Sequence, residues 1–192
     1  AITPSDKPYL KTGVLETWRG RIIWLMLLMV SATFTSRILT HFEDALASLP
    51  ILVAFVPQLM DTGGNAGGQA SVSVIRALSL GDIQMKDFMR VLWKEFRVAL
   101  LCGLTLAVVN FVKMMIFNDV SRSVYGVSMS HIISAVVCVT IALAVVIAKV
   151  IGSMLPILAK RIGFDPAVMA SPLITTIVDV VSLLVYFLIS TT

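Results

Sequence analysis

Apolar runs of helical length alternate along this chain with short polar stretches carrying proline or glycine, and five such runs can be followed. The first, IIWLMLLMVSATF from Ile22 to Phe34, is bounded by Arg19 and Arg21 before it and by Arg37 and His41 after it. The second starts at Leu49 and continues PILVAFVPQLM. Only about a dozen residues, roughly 18 Å of helix, precede Asp61, which is short of the ~30 Å hydrocarbon thickness. This crossing must therefore be completed by Ala66 to Leu80, across the glycine-rich DTGGNAGGQAS (Asp61 to Ser71). A third run extends from about Phe96 to Phe117, a fourth from Met129 to Leu158 and a fifth from Pro172 to Ser190. NDVSRS (Asn118 to Ser123) and KRIGFDP (Lys160 to Pro166) read as loops. YLKTGVLETW, with Leu10, Val14 and Trp18 at four-residue spacing, reads as an interfacial or linker helix. The pattern thus divides the chain into an N-terminal segment, 1–18, and a five-helix membrane domain, 19–192.

Composition sharpens this picture. With 58% hydrophobic and 14% charged residues, and a mean hydropathy of +0.96, the chain falls outside the range of soluble domains. The fold class expected is an all-α membrane protein with five transmembrane helices, the second of them broken. Cys102 and Cys138 both lie inside apolar runs and read as small hydrophobes.

Charge adds an orientation. With the N-terminus cytoplasmic, most of the 15 Lys and Arg, among them Arg19, Arg21, Arg76, Lys86, Arg90, Lys160 and Arg161, fall on the inner side. Arg37, Lys113 and Arg122 fall outside, and Lys149 lies within the fourth helix. Five crossings then leave the C-terminus external in a multi-pass cell membrane protein. The net charge of +4 calls for no nucleic-acid partner, because anionic lipid on the inner leaflet accounts for a basic face.

Two features carry the candidate chemistry. Pro57 and the Gly63, Gly64 pair loosen the second helix near its middle, and a helix half that ends there directs its carbonyl end, with partial negative charge, at the membrane centre. The competing reading makes Gly63 with Gly67, and Gly64 with Gly68, small residues that let helices approach closely. Asp179 is a carboxylate inside an otherwise apolar crossing, where an ionisable group costs about 2.5 to 3.5 kcal/mol unless it faces protein or water. Lys149 is its candidate partner if Asp179 only ties helices together. Thr175, Thr176, Ser182 and Tyr186 share the stripe of helix five that carries Asp179, and such an oxygen-rich face suits a hard cation such as Mg²⁺ or Ca²⁺. An enzyme is not indicated, since neither an HExxH nor a GxSxG pattern is present.

PQLMDTGGNAGGQ (Pro57 to Gln69) with IRALSLGDI (Ile75 to Ile83), and LPILAKRIGFDPAVMASPLITTIVDVVSLLVYF (Leu155 to Phe187), resemble the membrane domain of the MgtE family of magnesium channels. The resemblance implies a homodimeric bundle of five-helix protomers, with the ion path at the subunit interface between helices two and five. It implies Asp179 as the central metal position, reached by Mg²⁺ as a largely hydrated transported ion. Asn65, Thr175 and Thr176 would line the path nearby, and Asp165 would stand at its cytoplasmic mouth. Ser182 departs from the Gly often found in the family three residues after that Asp. Bacterial members also carry an N-terminal helical domain and a CBS pair that close the pore at high Mg²⁺; neither lies in these 192 residues. The expectation is therefore either a piece of a longer protein, with those regulatory domains as partners, or a short member nearer the eukaryotic relatives. For the latter the alternative function is sodium-coupled Mg²⁺ exchange.

Overall fold

The computed structural model describes residues 9–42, 50–117, 119–163 and 166–190. All regular structure among them is helical: α1 (Val14–His41), α2 (Val56–Leu80), α3 (Phe88–Phe117), α4 (Asp119–Arg161) and α5 (Pro166–Ser190). Short 3₁₀ turns at Tyr9–Lys11, Pro50–Phe55 and Met85–Asp87 precede α1, α2 and α3. Three stretches, Val14–His41, Met85–Phe117 and Ser130–Arg161, are long and apolar enough to cross a membrane, and Ile174–Ile189 is a shorter apolar helix.

The helix ends follow local chemistry. Thr17 Oγ1 donates to the Gly13 carbonyl at 3.1 Å across the first turn of α1. That helix passes through Trp18 and Arg19 without interruption. Gly81, at φ 77°, stops α2 in the left-handed conformation that glycine adopts at no steric cost, and the Asp82 N–H donates to the Ala77 carbonyl at 3.0 Å. A capping box opens the next element, the Gln84 N–H donating to Asp87 Oδ2 at 3.0 Å. Gly163, at φ 83°, turns the chain after α4.

Two sequence expectations need correction. Helix two is not broken at its glycines: α2 is continuous from Val56 to Leu80, and the change of winding comes earlier, where the Pro50–Phe55 3₁₀ turn gives way to α-helix. Asn118 to Ser123 is not a loop over its described part, because the backbone is helical from Asp119 onward. Pro156 is likewise accommodated inside α4.

The glycines serve close packing instead. Gly63, Gly64 and Gly67 are buried, together with Leu59, Ala66 and Ala70, on the side of α2 that meets α4 and α5. A Cβ on Gly67 would stand 3.1 Å from the Ala148 carbonyl oxygen and 3.1 Å from Ile174 Cγ2. One on Gly152 would collide with the Gly67 backbone, so α2 and α4 touch main chain to main chain. Gly103 plays the same part between α3 and α4, where an added Cβ would lie 2.9 Å from the Ala142 oxygen. Around these contacts Val145, Ala148, Ile174, Val178 and Leu183 form the core. Tyr186 Oη donates to the Leu52 carbonyl at 2.9 Å and so ties α5 to the turn that opens α2. Helix α1 lies outside this group and packs chiefly on α5, where Phe42 stacks on Phe187 at 4.6 Å.

Candidate cation site

Helix α5 meets the glycine face of α2 through Ile174, Val178 and Ser182: an added Cβ on Gly63 would lie 3.0 Å from Val178 Cγ1 and 2.8 Å from Ser182 Oγ. Asp179 follows Val178 round the helix and is thereby carried to the edge of the same contact. A Cβ on Gly64 would stand 3.8 Å from Asp179 Oδ1 and 3.6 Å from Thr175 Cγ2, so the carboxylate and the threonine one turn before it lie together against α2. Both are half-buried, and Asp179 has no hydrogen bond or ion pair with any described residue. It is a carboxylate at helical mid-length without a partner among the described residues.

The other residues singled out in the sequence are distributed differently. Asn65 lies on the exposed flank of α2, its Nδ2 donating to Asp61 Oδ1 at 3.0 Å, and it borders a groove toward α3 and α4 together with Gln69, Thr105 and Lys149. Lys149 therefore belongs to that groove and forms no ion pair with Asp179. Thr176 faces a third region, an apolar groove between α5 and α1 bordered by Phe34, Arg37 and Val180. Asp165 lies outside the described residues. The structure thus brings Thr175, Asp179 and the Gly64 backbone together, and it sets Asn65 and Thr176 on either side of them.

Among the described residues no group of three or more His, Cys, Asp or Glu gathers. The described residues therefore offer a cation a single carboxylate at Asp179, with Thr175 beside it. An ion held by so few ligands would keep much of its water, which is the coordination habit of Mg²⁺.

One polar cluster went unread in the sequence. Gln58 Nε2 donates to Asn110 Oδ1 at 2.6 Å, Lys113 Nζ donates to Gln58 Oε1 at 3.0 Å, and Asn110 Nδ2 reaches Cys138 Sγ at 3.5 Å. It links α2, α3 and α4 near the start of α2. The signal was an Asn and a Lys one turn apart in the third apolar run (VVNFVKMM), but their partner on α2 is fifty residues distant and only the packing pairs them.

Comparison with known proteins identifies the family of these helices. Residues 56–189, from the first turn of α2 to nearly the end of α5, match the model of the MgtE family, described as divalent cation transporters. A protein of Thermus thermophilus called magnesium transporter MgtE is 37% identical over 187 residues, 97% of this chain and 39% of that protein. Magnesium transporters MgtE of Bacillus subtilis and Enterococcus faecalis are 32% and 31% identical, over 89% and 90% of this chain and 36% of each relative. The chain thus spans well under half the length of the relatives it matches. With the family pattern running through the very helices that hold Asp179 against Gly64, the chain belongs to the MgtE family of divalent cation transporters.

Proposed function

We propose that this chain is a membrane-crossing ion-transport unit that carries Mg²⁺, and that two copies meet along α2 and α5 to enclose the path. The observation that carries the reading is the Asp179 carboxylate against the Gly64 backbone, half-buried and unpaired within an apolar helix. A lone ionised carboxylate facing hydrocarbon is unstable, so its environment is water, a cation or another protomer. A second support is the adjacent exposed flank of α2, where Asp61, Asn65 and Gln69 present further oxygens that lipid could not satisfy. Two copies of Asp179 on one axis would attract a divalent ion through its hydration shell, with Thr175 beside it. Asp165 would stand at the cytoplasmic mouth of this path, whereas Asn65 and Thr176 face the grooves on either side of it. The driving force for inward movement is about 4.6 kcal/mol per divalent ion for each 100 mV.

The orientation with the N-terminus cytoplasmic fits the distribution of basic residues. Lys86, Lys160 and Arg161, from the start of α3 and the end of α4, border one groove at a single end of the bundle, as an inner-leaflet surface would require. Lys160 Nζ also reaches the Leu78 carbonyl near the end of α2, at 3.5 Å.

Mg²⁺ flux into proteoliposomes tests the reading. Asp179→Asn and Asp179→Ala are expected to reduce flux to the level of protein-free vesicles, and wild-type flux in both would end it. Replacing external and internal Na⁺ with choline is expected to leave wild-type flux unchanged; loss of flux would favour coupled exchange on the same helices.

A further inference from the structure

Lys149 raises a separate question. It is only 5% exposed, yet it has no hydrogen bond or ion pair with any described residue. It borders a groove of about 540 Å³ between α2, α3 and α4, shared with Asp61, Thr62, Asn65 and Gln69 of α2 and Thr105 of α3. At 1.5 Å per residue Lys149 and Gln69 both lie about 15 Å from the end where Lys160 meets the Leu78 carbonyl, which is half the depth of a bilayer. A cation at mid-depth and a carboxylate roughly 12 Å further along α2 from Gln69 therefore border one cavity without touching, and Asp61 is held in place by the Asn65 amide rather than by Lys149.

The space between them has a definite chemistry. Apart from the ammonium and the Cys102 thiol, the polar groups bordering it are a carboxylate, two carboxamides and two hydroxyls, the hard oxygens that suit alkaline-earth ions. With liquid water occupying about 30 Å³ per molecule, the cavity has room for an ion with its first hydration shell. It is also distinct from the Asp179 position, which faces Gly64, whereas the groove opens on the flank of α2 toward α3. The four-carbon stem of Lys149 lets its charge move toward or away from Asp61.

We propose that the α2–α3–α4 groove is a second cation position, built on Asp61 with the Asn65 and Gln69 oxygens, that takes a hydrated divalent ion, and that the Lys149 ammonium is its resident competitor. With no ion present, Lys149 neutralises the cavity. An arriving divalent cation displaces it, so Lys149 sets how tightly the position holds its ion. This inference rests on the transport reading above and adds a holding position and a residue that tunes it.

The test uses Mn²⁺ as a paramagnetic probe, with the protein in lipid nanodiscs and every sample carrying Asp179→Asn so that only the groove is read. Mn²⁺ is expected to bind still, and adding Asp61→Asn is expected to abolish that binding. Adding Lys149→Met removes a unit positive charge beside the ion and is expected to lower the Mn²⁺ Kd by about tenfold, while Lys149→Arg, which keeps the charge, leaves it unchanged. Should Lys149→Met fail to fold, Lys149→Gln carries the same charge comparison. Binding indifferent to Asp61→Asn, or no tighter in the neutral variants than in Lys149→Arg, overturns the proposal. Failure of the Asp179 reading would show instead as undiminished flux in Asp179→Asn, a result that leaves the Mn²⁺ comparison intact.

Discussion

Helices α1 and α2 are of similar length, 28 and 25 residues, yet they occupy opposite situations. The apolar stretch of α1 is long enough to cross a membrane but none of it is buried in the protein, and Leu25, Leu27, Met29 and Phe34 face outward. Helix α2 contains Asp61, Asn65, Gln69 and four glycines between residues 61 and 69, and it is the element against which α4 and α5 are assembled. In water the more apolar helix would be the more buried. In a bilayer, lipid tails serve a leucine as well as another leucine does, so apolar area gives helices no reason to associate. What draws α2 inward is close approach through small residues and the need of its polar groups for partners other than lipid.

That contrast can be broken at graded cost. The largest effect is expected for Gly152→Val: a Cβ there collides with the Gly67 main chain, which cannot move without separating α2 from α4, and the loss should be about 3 kcal/mol or more. Thermal unfolding followed by size-exclusion chromatography would show it. Gly63→Ala places a carbon 2.8 Å from Ser182 Oγ and should cost about 1 to 2 kcal/mol, part of which Ser182→Ala relieves in a double-mutant cycle. Tyr186→Phe removes the hydroxyl that donates to the Leu52 carbonyl, at a cost of about 1 kcal/mol read from denaturation midpoints. At the far end of the scale, Leu27→Ala on α1, at a side chain 57% exposed, should change stability by no more than about 0.5 kcal/mol. Equal effects at Gly152 and Leu27 would mean that the bundle is held together by apolar area and not by its glycines.

Much of the architecture was legible in the sequence because hydrocarbon imposes a simple rule on composition. All five apolar runs became helices, and the family resemblance carried by PQLMDTGGNAGGQ and the TTIVD segment held. The extents were less legible. Helix α3 begins at Phe88 rather than near Phe96, and α4 continues back through VSRS to Asp119, because a helix in a bundle keeps its backbone bonds satisfied whether or not its end residues are apolar. The expected fracture in helix two failed for a related reason. Glycine is permissive, not disruptive: four glycines weaken a lone helix, but a neighbouring backbone pressed into the gap left by their missing side chains restores what is lost.

The site divides in the same way. That Asp179 is exceptional follows from sequence, since an ionisable group in an apolar crossing is costly wherever the helix ends up. That Thr175 stands with it follows from helical spacing. Sequence could not tell that Gly64 faces Asp179 while Asn65, one residue on, turns toward α3, or that Lys149 shares a cavity with Asp61 and not with Asp179. Burial cost is a property of each residue and its run, so it is written in the chain. Which of two charges a lysine faces depends on how three helices are rotated against one another, and that rotation is set by glycine contacts between α2, α4 and α5 that exist only once the bundle has formed.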